Sequence, residues 1–238
     1  AEVSEASGNQ KVQLMQLDVS SFDSIRKFCS AFETKNQRLD VLIHNAGYFN
    51  HGITTYQLNP DGLELTFATN VFGPLLMTEL LLNCLAASDD PRVLNAASTN
   101  IKHFFDPKRQ IEFDNLRGEF AGKRPYSVYK MYGDSKMGLV LLTYRMAEEY
   151  RAKGIKVNAV MIPATKMSSE SLRKFTGFYR VIAPFVQNLN PLSLTSEEMA
   201  QCYYHICTSE EFRDVTGYLV SSKNRIILPA EEKPLTPV

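Results

Sequence analysis

Tyr132-Gly133-Asp134-Ser135-Lys136 sets a phenol and an ammonium four residues apart at the head of a long apolar helical run. Residues i and i+4 lie one above the other on a helix, so both side chains can point into one pocket. A cation held beside the ring favours the phenolate and lowers a tyrosine pKa that is ordinarily about 10. The pair then donates and accepts protons at neutral pH. The helix buries Val140, Leu141 and Tyr144 and stops at Gly154. Strands read at residues 92–96 and 155–161 flank it, and strand–helix–strand is the unit of a parallel sheet.

Farther out, the same alternation recurs. Residues 11–19 alternate apolar and polar side chains and read as a strand. Ser21 caps a helix whose Phe22, Ile25, Phe28, Cys29 and Phe32 keep the three-to-four spacing. Residues 39–44 form a short strand that ends in Asn45-Ala46-Gly47. Asn59-Pro60 predicts the next helix, with asparagine at the cap, a run to about Ala86 and a bend near Gly73-Pro74. Residues 100–123 are a long charged and aromatic loop, of a length that usually carries function or motion. Thr195-Ser196-Glu197-Glu198 is a capping box for a helix to about Cys207. Residues 218–221 make a last strand, and 228–238 a loose tail.

Five such alternations predict an α/β fold, a three-layer doubly wound parallel sheet in a single domain over 1–238. Ligands of such sheets sit at the carboxyl ends of the strands, where Asp18, Asn45, Ser98 and Pro163 fall. Composition excludes other classes. The 26 basic and 26 acidic residues cancel, so no field recruits nucleic acid. The longest apolar run, 71–82, is interrupted and too short to span a bilayer. Cys29, Cys84, Cys202 and Cys207 are scattered without metal spacing, as expected of reduced thiols in a cytoplasmic chain. His44, His51, His103 and His205 share no ligand spacing either.

The set Asp18-Val19, Asn45-Ala46-Gly47, Asn70, Ser98, Tyr132 with Lys136, and Pro163 resembles the short-chain dehydrogenase/reductase family, over nearly the whole chain. Asp61-Gly62-Leu63-Glu64 leading to Asn70-Val71-Phe72-Gly73, with the long loop before Tyr132, resembles its retinol-dehydrogenase-like branch. A second spacing of the same kind, Tyr126 with Lys130, lacks the serine that Ser135 supplies before Lys136. The resemblance implies an NAD(P)-dependent oxidoreductase that interconverts an alcohol and a carbonyl. Tyr132 would be the general acid/base, Lys136 would hold the nicotinamide ribose, Ser98 the substrate oxygen and Asn70 a relay water. Hydride addition to a carbonyl leaves an alkoxide, which asks for such positioned donors.

Asp18, Val19, Asn45, Ala46, Gly47, Pro163, Ala164 and Thr165 would join Tyr132 and Lys136 in lining the cofactor, NADP being favoured over NAD by the resemblance alone. The plainer readings stay open: a strand end for Asp18, a cap for Ser98, a turn for Asn45-Ala46-Gly47 and a helix bend for Asn70. Apolar positions Phe175, Phe178, Tyr179, Ile182, Phe185 and Val186 keep a helical period and suit a lid over a lipophilic substrate. Family members are commonly homodimers or homotetramers, and some carry a membrane anchor upstream.

One family feature has no counterpart. The turn Gly-x-x-x-Gly-x-Gly, whose backbone N–H groups cradle the pyrophosphate, does not occur in these residues. By resemblance the chain starts near the third strand, lacking about forty residues and the first two strands. The strand at 11–19 is then expected to move over and pair with 39–44, since its backbone groups need partners. A second class of function follows, a truncated relative without cofactor binding that serves as a binding or scaffold protein.

Overall fold

Local capping rules place the first regular elements. The computed structural model describes residues 2–50, 53–105, 108–163 and 193–227. Helix α1 (Glu2–Ser7) buries none of its residues. Residues 11–19 follow it without joining the sheet, and Leu14 is 99% exposed. This corrects the expected strand and its pairing with 39–44, and Asp18 therefore ends no strand. The stretch is solvated for most of its length, so water satisfies its backbone groups and nothing forces it onto a sheet edge. Only its far end is held. Leu17 packs against the cluster of Ile25, Cys29, Met77 and Leu81, and the Val19 carbonyl lies against Gly73.

Helix α2 (Phe22–Lys35) starts where Ser21 Oγ accepts the Ser24 N–H at 3.3 Å, and it buries Ile25 and Cys29. Strand β1 (Val41–His44) leads out of it. Asn59-Pro60 proves to be a turn and not a helix cap. The Asn59 carboxamide oxygen accepts from Asp61 N and Leu63 N at 3.1 and 2.8 Å, which spends the group that would have capped. Buried Glu64 takes over, accepting the Phe67 N–H at 3.0 Å to open helix α3 (Leu65–Phe67). A π-helical turn, Ala68–Phe72, joins α3 to helix α4 (Gly73–Leu80), and helix α5 (Leu82–Ala86) completes the run. The expected bend thus takes the form of one widened turn directly before Pro74, closed by Gly73 N–H on the Ala68 carbonyl.

Strand β2 (Arg92–Ser98) is buried at every residue, as a central parallel strand should be. Helix α6 (Val128–Glu149) begins at the Ser127 cap, and the chain turns out of it through Gly154 at φ +70°. Strand β3 (Lys156–Ile162), helix α7 (Ser196–Thr208), strand β4 (Leu219–Ser221) and strand β5 (Ile226–Ile227) follow. The capping box at Thr195 and Glu198 forms as its spacing requires. The sheet runs β1-β2-β3-β4-β5, parallel through β4, with β5 antiparallel. Strand β5 was not expected. Its cue is Asn224, whose φ of 58° turns the chain back after Ser221.

Alternation along the strands sorts the two faces. Val93 and Val157 pack with Met146 and Tyr150, and Ala97 and Ala159 with Met137 and Val140, which seats α6 on one face. Leu94, Val160 and Val220 pack with Met199, Cys202 and Ile206, which seats α7 on the other. Helices thus cover both faces of a parallel-dominated sheet, an α/β fold. The aromatic run 175–186 and the tail 228–238 lie outside the described residues.

Candidate active site

Three connections bring the site together. The exit of β1 carries Asn45, Ala46 and Gly47, the exit of β2 carries Ser98, and the first turns of α6 carry Tyr132, Ser135 and Lys136. Asn70 reaches in from the π-helical turn. Ser98 stands by the Tyr132 phenol, and its hydroxyl accepts the Asn100 N–H at 3.2 Å. The Asn70 side chain donates to Ser135 Oγ at 2.9 Å, and the Ser135 hydroxyl donates to the Tyr132 carbonyl at 2.8 Å. Lys136 Nζ donates to the Ala96 carbonyl at 2.7 Å and lies 5.7 Å from the Tyr132 ring centroid. Tyr126 and Lys130 stand apart from this group. The Tyr126 hydroxyl donates to buried Glu64 at 3.2 Å, and Lys130 pairs with Asp134 at 2.8 Å.

The electrostatics reverse one expectation. Burial raises the Tyr132 pKa, with the Ser98 hydrogen bond opposing it, so the phenol is held protonated. Burial also lowers the Lys136 ammonium to about 8. The expected lowering of the phenol by its neighbouring cation is absent because the ammonium points at a carbonyl and desolvation outweighs attraction at this separation. His44, buried at the end of β1, is pushed down to about 4 by burial and shares a 2.8 Å hydrogen bond with Thr78 Oγ1. It is a neutral support for the strand end.

Of the remaining expected residues, Asp18 caps its own turn, Oδ1 accepting Ser20 N at 2.9 Å and Ser20 Oγ at 2.7 Å. Val19 is spent on the close contact with Gly73. Asn45 Oδ1 accepts the Tyr203 hydroxyl of α7 at 3.0 Å. Pro163 follows β3 directly, while Ala164 and Thr165 lie outside the described residues. Two residues were missed. Tyr203, its phenol pushed up to about 12 chiefly by burial, spans from α7 to β1. Phe49 stacks on Tyr132 with ring centroids 4.5 Å apart. The only cue for Tyr203 is its place beside Cys202 on the packed side of α7; Phe49 has none beyond following Gly47.

The sequence pattern of the short chain dehydrogenase family matches residues 1–105, and that of the enoyl-(acyl carrier protein) reductase family matches residues 118–222. The chain belongs to the short-chain dehydrogenase family. Among its relatives, the chain is 30% identical over 229 residues to human retinol dehydrogenase 13, covering 94% of this chain and 65% of that one. Human retinol dehydrogenase 11 is 33% identical over 220 residues, covering 91% and 62%. The chain spans less than two thirds of the length of both relatives. Among solved structures, an NADPH-bound carbonyl reductase from chicken fatty liver superposes with a TM-score of 0.65 at 18% identity, over 95% of this chain and 81% of that one. A short chain dehydrogenase from Shigella flexneri complexed with NADP gives 0.62 at 18%, over 93% and 79%.

The residues present suit one half of such a cofactor. A Cβ at Gly47 would lie 3.2 Å from Lys136 Nζ and 3.5 Å from Asn70 Oδ1, so only bare backbone fits beside the amine. An ammonium has three N–H donors, and Lys136 gives one to Ala96, which leaves it suited to the paired hydroxyls of a ribose. No residue is assigned to the pyrophosphate, because the glycine-rich turn does not occur in the 238 residues. Among the described residues, no helix is long and apolar enough to cross a membrane.

Proposed function

We propose that the chain carries the proton-transfer centre of an NAD(P)-dependent oxidoreductase interconverting an alcohol and a carbonyl. The observation that carries this reading is the convergence of the Tyr132 phenol with Ser98, Lys136 and Asn70 at the ends of β1 and β2, Lys136 anchored on the Ala96 carbonyl and Asn70 on Ser135. A bound nicotinamide supplies the hydride chemistry. Ser98 orients the substrate oxygen toward Tyr132. Tyr132 gives its proton to that oxygen as negative charge develops there, and burial keeps the proton in place until then. Lys136 binds the ribose hydroxyls. In the oxidation direction Tyr132 must first release its proton, a cost that burial raises and the Ser98 hydroxyl offsets in part.

The names of the relatives support a lipophilic alcohol or carbonyl as substrate, since retinol is one. The NADP and NADPH of the solved relatives support a lean toward NADP. The chain has no tryptophan, so binding is followed by nucleotide fluorescence. NADPH is expected to bind, and Tyr132→Phe to lower turnover by roughly a hundredfold or more with binding nearly unchanged. Turnover that persists in Tyr132→Phe would remove the proposed acid. The second reading is a binding or scaffold protein without cofactor binding. Unchanged fluorescence of NADPH and NADH over a natively folded chain would decide for it.

A further inference from the structure

The ring of Phe49 packs on the ring of Tyr132, centroids 4.5 Å apart and planes 38° apart, and meets Tyr129 edge-on at 5.5 Å. The residue before it is gripped at both ends by one carboxamide. Asn70 Oδ1 accepts the Tyr48 N–H at 2.7 Å, and Asn70 Nδ2 donates to the Tyr48 carbonyl at 3.2 Å. The same nitrogen donates to Ser135 Oγ, and Ser135 donates to the backbone of Tyr132. The contacts therefore close on themselves, from the Tyr132 ring through Phe49, Tyr48, Asn70 and Ser135 to the Tyr132 carbonyl. Asn70 and Ser135 are 1% and 0% exposed, so neither bond competes with water.

A carboxamide has two N–H donors and one carbonyl oxygen, and here all three are engaged. The Asn70 side chain is thereby locked and supplies position. The helix backbone fixes the Tyr132 Cα, yet the phenol oxygen lies at the far end of two rotatable bonds. A neighbouring ring on its face limits the swing that those bonds allow.

We propose that Phe49 is a positioning residue for Tyr132, keeping the phenol aimed at Ser98 by packing on its ring, while Asn70 and Ser135 fix the two backbones that carry the pair. The proposal rests on the reading of Tyr132 as the proton donor. Among the described residues, Lys136 and Tyr129 on its own helix and Tyr203 on α7 are titratable groups near Tyr132, and Tyr129 meets the same Phe49 ring.

The test uses the full chain labelled with carbon-13 at the tyrosine ζ position, the Tyr132 signal assigned by its loss in Tyr132→Phe. In Phe49→Ala the Tyr132 signal is expected to shift and its titration midpoint to fall toward about 10, the unburied value. Turnover should fall roughly ten- to hundredfold with the KM for nucleotide within about twofold, as for a misplaced but present group. Phe49→Tyr should restore both readouts and Phe49→Leu should not, a comparison that stands even if the alanine variant fails to fold. A folded Phe49→Ala chain with an unmoved Tyr132 signal and midpoint overturns the proposal, as does full recovery in Phe49→Leu. Because the signal needs no turnover, an inactive wild type whose Tyr132 signal still responds to Phe49→Ala discards the oxidoreductase reading and keeps the packing role.

Discussion

Lys136 holds a charge in a place that disfavours it. Burial brings its ammonium down to about 8, against about 10.4 in an unfolded chain. Between those values the unfolded chain binds a proton that the folded chain has released. Stability from this group therefore rises with pH across that window, and its cost is fully present below it. Lys136→Met should remove the cost and raise the unfolding free energy at pH 7 by on the order of 1–3 kcal/mol, net of the lost bond to Ala96. Urea denaturation at pH 7 and pH 10 reads this out. The advantage of the variant should shrink at pH 10, and an equal advantage at both values would show that burial does not set the lysine. At this scale the convergence of the candidate residues was legible. Asn70, Ser98, Tyr132 and Lys136 converge as strand ends and helical spacing require. The direction of the tyrosine shift was not legible, because it depends on where the ammonium points and how deeply both groups are buried. Phe49 was not legible either, because no local rule says which loop aromatic will cross to the helix.

Gly73 shows how one element depends on another. A Cβ there would lie 2.2 Å from the Val19 carbonyl and 2.8 Å from its Cγ1, so the strand-like segment before α2 can cross α4 only over a bare backbone. Gly73→Ala is expected to destabilise the fold by roughly 1–3 kcal/mol, the usual range for overpacking. Gly138→Ala on α6 is the control. Its new Cβ would meet Val71 and Phe67 at 3.5 and 3.6 Å, ordinary contact distances, and helix propensity then favours alanine by up to about 1 kcal/mol. Thermal melts of the two variants should move in opposite directions, and a neutral Gly73→Ala would mean that the segment yields freely. Elements set by nearest neighbours were readable from sequence, as the Ser21 cap and the Thr195–Glu198 box show. Elements that need a distant partner were not. Residues 11–19 have the alternation of a strand but find no edge, and Asn59 looks like a cap until Glu64 supplies a better placed acceptor.

Across the whole molecule, Arg92 joins the first half of the chain to the second. It is buried at the start of β2, donates to the carbonyls of Ile206 and Ser209 at 3.0 and 2.9 Å, and pairs with Asp90 at 2.6 Å. Its guanidinium thus closes the carboxyl end of α7, where a cation is favoured. Arg92→Leu leaves those carbonyls without their donors and should cost about 3 kcal/mol or more. Arg92→Lys should recover only part, because an ammonium lacks the planar fork. Guanidinium-induced unfolding measures both, and a leucine variant with the parent midpoint would rule out this coupling. The order of the sheet follows the order of the chain from β1 to β5, and the three parallel pairings join residues 51, 64 and 60 apart. A chain leaving the ribosome amino end first therefore always finds the preceding strand already synthesised when the next one emerges. Within these residues the sheet can be laid down in one direction during translation, with no strand waiting for an inner neighbour still to be made.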